Sequence, residues 1–142
     1  MASRKRSKPD RKLLLAAELR RSIRRAVKAG RTGDEICGLL VDNGWFLQLV
    51  PLKNKARAPG SFLLGRNRVR EARKAARRFG YRVVGAYHSH PVSPPVPGEA
   101  DIAGARRGDL MLILDAFEQK LGLWRIGQRK ATRVPFRLLK LR

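Results

Sequence analysis

Residues 81–101 read YRVVGAYHSHPVSPPVPGEAD, and this stretch decides the fold. Val83 and Val84 are β-branched and Tyr87 is aromatic, so Tyr81–His90 is expected to be a strand; Pro91 lacks the N–H that a ladder needs and ends it. Side chains alternate faces along a strand, so His88 and His90 point the same way, with imidazoles close enough to share one ion. The segment VSPPVPG over 92–98 excludes regular structure and turns the chain back. Asp101, near the start of a short helix expected over Glu99–Arg107, then faces the imidazoles, and the prolines lower the entropic cost of holding it there. Two neutral imidazoles, a carboxylate and one position left open for water form the usual catalytic zinc set. Each part alone has a plainer reading: two polar residues on an exposed strand face, and a first-turn acid that complements a helix dipole. Spacing, element type and ligand chemistry agree on a metal when the three are taken together. A non-haem iron site with two histidines and one carboxylate is the alternative metal reading.

Outward from this strand, the pattern is that of a mixed α/β domain. Upstream, Leu15, Leu19, Ile23, Ala26 and Val27 recur at helical spacing with Arg20, Arg21, Arg24, Arg25 and Lys28 between them, which predicts an amphipathic helix from Leu13 to about Gly30. Glu35–Val41 and Trp45–Leu52 are β-prone runs on either side of Asp42-Asn43-Gly44, a hairpin signal. Residues 53–65 read as loop, and Val69, Ala72, Ala76 and Phe79 mark one face of a second helix that Gly80 stops. Downstream, strands are expected over Leu110–Asp115, Leu121–Ile126 and Ala131–Phe136. The order α-β-β-α-β-α-β-β-β gives one domain over 13–142, preceded by a basic tail over 1–12 (MASRKRSKPDRK).

At this point the residues resemble a known family, the JAMM or MPN+ metallopeptidases. Those proteins carry a glutamate near an early strand, then H-[ST]-H-P, then a serine and an aspartate. Glu35 stands in EICGLL, His88-Ser89-His90-Pro91 matches the central motif, and Asp101 falls at the expected spacing. Asn54, Ala56, Pro59 and Phe62 resemble the segment after the family's first hairpin, so the likeness spans most of residues 13–118. The resemblance implies a mixed β-sheet flanked by helices, of the JAMM/MPN-like and cytidine-deaminase-like class. It implies Zn2+ on His88, His90 and Asp101, and Glu35 as general base and then general acid. It also implies a protein or peptide substrate, the C-terminal tail of a ubiquitin-like or sulfur-carrier protein. Glu35 by its own spacing reads only as a strand-edge carboxylate. Gly98 occupies the family's serine position, where a hydroxyl is taken to support the developing oxyanion. Ser89, Gly98 and Asn54 are therefore assigned to the substrate and oxyanion region, with Ser93 a substitute hydroxyl.

Composition narrows the setting. With 142 residues, 43% hydrophobic and 31% charged, the chain has enough apolar content for one core and is unlike a disordered sequence. Its 33 Lys and Arg against 11 acids give a formal charge of +22, far beyond what solubility needs, so an anionic partner is expected: an acidic carrier protein, or nucleic acid as the alternative. A basic nucleic-acid-associated module with a vestigial zinc site is the second function class. Cys37 is the single cysteine, which rules out an intramolecular disulfide and suits a reducing cytoplasmic compartment. It reads as a buried thiol rather than a fourth ligand, and Asp109 and Asp115 read as cap or edge charges. The apolar run Leu13–Ala17 breaks at Glu18, too short for a signal core or a transmembrane segment.

Overall fold

The computed structural model describes residues 12–56 and 62–140. The basic tail up to residue 11 and Pro59 lie outside the described residues. The chain runs β1 (Lys12–Leu15), α1 (Ala16–Gly30), β2 (Cys37–Asp42), β3 (Leu47–Leu52), α2 (Arg66–Arg78), β4 (Arg82–His90), α3 (Glu99–Ala103), β5 (Leu110–Asp115), β6 (Leu121–Ile126), β7 (Ala131–Arg133) and β8 (Phe136–Leu139). The eight strands form one mixed sheet in the order β7-β6-β5-β4-β2-β3-β1-β8. β4 is central, antiparallel to β2 and parallel to β5, which it reaches through the Pro-rich loop and α3. This is the expected mixed α/β architecture.

Strand alternation sorts the sheet into two faces with different tasks. Tyr87 of β4, Leu40 of β2, Leu112 and Leu114 of β5 and Leu123 of β6 join Leu14 and Leu47 in the main core, and Leu19 of α1 packs onto it. Each of these leucines is essentially removed from water, and at about 25 cal/mol per Å2 of apolar surface a buried leucine contributes roughly 1.5–3 kcal/mol. The Glu18 carboxylate of α1 accepts a hydrogen bond from the Leu49 N–H of β3, which ties the helix to the sheet. Gly38 is required here: a Cβ would lie 2.2 Å from the Val50 carbonyl oxygen and 2.5 Å from the Tyr87 ring. On the opposite face, Met111, Ile113 and Ile126 pack with Ile102, Ala105 and Trp124 under the α3 segment. The same face carries Ala86, His88 and His90, so the functional side chains and the main core occupy opposite sides of β4.

Four boundaries differ from the expectation. Leu13–Leu15 belong to β1, not to the first helix, because they pair in parallel with β8, a contact from the far end of the chain; Lys12, counted with the tail, opens that strand. Glu35 lies in the irregular segment just before β2 and not within a strand. The helix expected over Glu99–Arg107 ends at Ala103, with Gly104 as its cap. The last expected strand, Ala131–Phe136, is two: Arg133 pairs with Trp124 of β6, whereas Phe136 pairs with Lys12 of β1. Between them Val134 donates to the Leu123 carbonyl and the Pro135 carbonyl accepts from Lys12, so this segment links the two ends of the strand order and the sheet curls. Among the described residues no helix is long and apolar enough to cross a membrane.

Candidate metal centre and active site

The two histidines arrive at the end of β4 as alternation requires. His88 Nε2 lies 3.2 Å from His90 Nε2, 3.2 Å from Asp101 Oδ1, and His90 Nε2 lies 3.3 Å from Asp101 Oδ2. Asp101 is delivered by the Pro-rich loop: its Oδ2 accepts a hydrogen bond of 2.9 Å from the Gly98 N–H, which fixes the carboxylate at the start of α3. His90 Nδ1 donates to the Pro94 carbonyl at 2.8 Å. That bond leaves the Nε2 lone pair aimed at the cluster, the orientation a ligating histidine needs. The Phe62 ring stacks on His88 at 4.3 Å between centroids and holds it from the outside.

The donor set fits a small divalent cation. Among the described residues these three side chains form the group whose candidate ligand atoms all lie within 4.8 Å of one another. His88 is 1% exposed and its Nδ1 has no partner, so its hydrogen-bonding capacity is met on one side only. Three electron-pair donors crowded together are favourable when a positive charge sits between them, and two imidazoles with one carboxylate are borderline-soft donors that suit zinc. Without an ion, protons are shared among these same donors. Burial holds His88 below the usual histidine value against its hydrogen bond to Asp101. Burial would lower His90 as well, but hydrogen bonds to Asp101 and Pro94 outweigh it and raise it. Burial likewise opposes ionisation of Asp101, yet the bonds to His88 and His90 prevail and hold the carboxyl well below its ordinary range.

Glu35 reaches the same place from the other side of the sheet's register. Cys37 opposes His88 across β2 and β4, so the chain just before Cys37 passes near the histidines. The residue is 8% exposed. Its carboxyl is pushed up to about 7 by burial, with His90 opposing and the Asp101 charge adding to the rise. No regular structure holds this segment; two side chains and one backbone hydrogen bond do. Asn54 Nδ2 donates to the Glu35 carbonyl at 2.8 Å, and Ser89 Oγ accepts from the Ile36 N–H at 2.9 Å while the Ser89 N–H donates to the Ile36 carbonyl at 3.0 Å. The Asn54 Oδ1 in turn accepts from Ala56 and Leu63, closing the loop that carries Phe62.

Glu35, His90, Asp101, Gly98 and Ser93 line one cavity of about 830 Å3. The structure thus brings together the three metal-ligand candidates, the candidate base and the residue at the family's serine position. Ser89 and Asn54 do not line that cavity; their side chains are spent on the backbone around Glu35. Cys37 is buried, with its Sγ 3.8 Å from the Leu52 carbonyl and its thiol pushed up to about 11 by burial and by Glu35. Asp115 accepts from the Phe117 and Glu118 N–H groups and caps a turn. Sequence reasoning overlooked the Pro94 carbonyl as a histidine partner and Phe62 as its stacking partner. The matching HSHP and asparagine segments were the signals at hand, but the partner of a ring nitrogen depends on a loop course that no spacing specifies.

The comparisons with known proteins agree with this geometry. Residues 16–131 match the family described as prokaryotic homologs of the JAB domain. A desampylase from Haloferax volcanii is 35% identical over 97 residues, covering 63% of this chain and 70% of the relative. The solution structure of a Desulfitobacterium hafniense protein superposes with a TM-score of 0.77 at 25% identity, covering 91% of this chain and 93% of that one. The crystal structure of a JAB1/MPN domain protein from Archaeoglobus fulgidus gives 0.59 at 19% identity, covering 92% and 100%. A conserved architecture and a family match over most of the chain lead to one conclusion: the chain belongs to the prokaryotic JAB-domain family, within the JAMM/MPN fold.

Proposed function

We propose that this chain is a zinc-dependent hydrolase of peptide or isopeptide bonds that acts at the C-terminal tail of a ubiquitin-like protein. The observation that carries this reading is the convergence of His88, His90 and Asp101 on one point, at the edge of a cavity that His90, Asp101 and the buried Glu35 line. The likeness to a desampylase supports the substrate class. His88 and His90 would hold the ion through Nε2 and Asp101 through its carboxylate. Zinc in such a site acidifies water toward a pKa of about 7 and polarises a carbonyl oxygen.

The remaining chemistry belongs to the chain. A carboxylate oxygen of Glu35 takes a proton from the attacking water and returns it to the leaving amine nitrogen, and a proton affinity near neutrality suits both transfers. Asn54 and Ser89 act as positioning residues, because they fix the backbone on either side of Glu35. Residue 98 gives the oxyanion little help: it has no hydroxyl, and its N–H is engaged by Asp101. Loss of one oxyanion donor costs about 2.7–4 kcal/mol, so turnover is expected to be slow. The test is a conjugate of a ubiquitin-like protein joined through its terminal glycine to a lysine side chain. Cleavage should occur with zinc, stop with chelator and be absent in Glu35→Gln; chelator-resistant cleavage would overturn the reading.

A further inference from the structure

The cavity continues well past the metal-ligand cluster, and its far end is charged differently from its near end. Its floor includes Leu39, Ala86 and Met111, which are register partners across β2, β4 and β5. Gly85 and His90 both line it, so it follows β4 for five residues, roughly 16 Å at about 3.3 Å per residue. One wall comes from α2 and the loop before it, with Leu64 and Val69; the other comes from α3 and the turn after it, with Ala100 and Ala105. Between Asp101 and the Gly85 end both walls are apolar. There Arg73 of α2 and Arg106 beyond α3 both line the cavity, each within electrostatic reach of Asp109, which lines it too. The Asp109 N–H donates to the Arg106 carbonyl at 3.1 Å, which keeps that turn in place.

Two guanidinium groups and one carboxylate leave a net positive charge at this end. α2 adds to it, since its sequence RNRVREARKAARR holds a single acid, Glu71, already paired with Arg68 at 3.7 Å. An extended peptide spanning this length would place its fourth or fifth residue beside the arginines when its reacting carbonyl lies at the ligand cluster. The apolar floor and small-residue wall accept short aliphatic side chains in between.

Resting on the hydrolase reading above, we propose that Arg73 and Arg106 select substrates whose tail carries an acidic side chain four or five residues before the scissile carbonyl. Their action is specificity-determining: they dock the tail and touch no reacting atom. The test uses hexapeptides of glycine and alanine ending in glycine, carrying Glu, Gln or Lys at the fourth or fifth residue from that glycine's carbonyl. They are supplied as aminomethylcoumarin amides for turnover and as fluorescein-labelled free acids for binding by anisotropy, with zinc-loaded full-length protein. Glu should be favoured over Lys by about fivefold to tenfold in both Kd and KM at low salt, with kcat little changed, as expected of partly exposed charge pairs. The preference should vanish in Arg73→Gln/Arg106→Gln and invert in Arg73→Glu/Arg106→Glu, each checked for an unchanged melting curve. Equal binding of the Glu and Lys peptides, or a preference that survives both double variants, would overturn the proposal. If no peptide is cleaved, the hydrolase reading fails on these substrates while the anisotropy result still decides the role of the arginines.

Discussion

Replacing Glu35 with glutamine should stabilise the metal-free protein at alkaline pH while destroying its proposed activity. The carboxyl is pushed from 4.5 to about 7 by burial, so the folded state binds its proton more tightly than the unfolded chain does. The stability that this proton contributes is complete below about pH 4.5 and is lost as pH rises through about 7, where the ionised carboxylate is left in a partly desolvated place. At about 1.4 kcal/mol per pK unit the rise from 4.5 to about 7 corresponds to roughly 3 kcal/mol, and access of water from the open cavity reduces this to about 2 kcal/mol. Glutamine keeps the shape and cannot ionise. Urea unfolding in chelator should therefore give nearly equal stabilities for wild type and Glu35→Gln at pH 4.5, and a variant more stable by about 2 kcal/mol at pH 8.5. A variant equally or less stable than wild type at pH 8.5 would refute the account of a carboxylate held against its solvation. Such a cost, retained in the native protein, is what an active-site base is expected to show.

Two further predictions concern the neighbours of the site. Gly98→Ser should fit, since a Cβ there meets only Asp101 Oδ2 at 3.7 Å, and its hydroxyl should raise kcat by about tenfold or more with zinc content unchanged; steady-state turnover that stays level or falls would count against an oxyanion role for this position. Ser89→Ala removes the acceptor from the Ile36 N–H, so urea unfolding should show a loss of about 1–3 kcal/mol, and kcat should fall while metal content holds. Loss of zinc in that variant, with turnover per bound zinc unchanged, would show that Ser89 supports the ligands rather than Glu35.

The histidine pair was legible because it depends on local periodicity alone: two positions apart on a strand share a face whatever the strand pairs with. Asp101 was legible because prolines limit where its loop can go. Glu35 was found by resemblance, and its own pattern misplaced it in a strand, since the β-prone run gave no sign that pairing with β4 starts only at Cys37. The first strand was missed for a related reason. Leu13–Leu15 continue smoothly into an amphipathic helix in sequence, and only pairing with residues 137–139 draws them into the sheet. The division at Val134–Pro135 likewise reflects which partner each half meets. Ser89 and Asn54 were recognised as belonging to the site, but not as tethers of the base, because a side chain that holds a distant backbone leaves no periodic signature.

The central claim is that His88, His90 and Asp101 hold one zinc while Glu35 serves the chemistry without holding it. Metal analysis of purified, zinc-equilibrated protein tests this directly. The account predicts one zinc per chain in wild type and in Glu35→Gln, and little or none in His90→Ala and Asp101→Ala when both remain folded. A full complement of zinc in the folded Asp101→Ala and His90→Ala proteins, or its loss in Glu35→Gln alone, would contradict it.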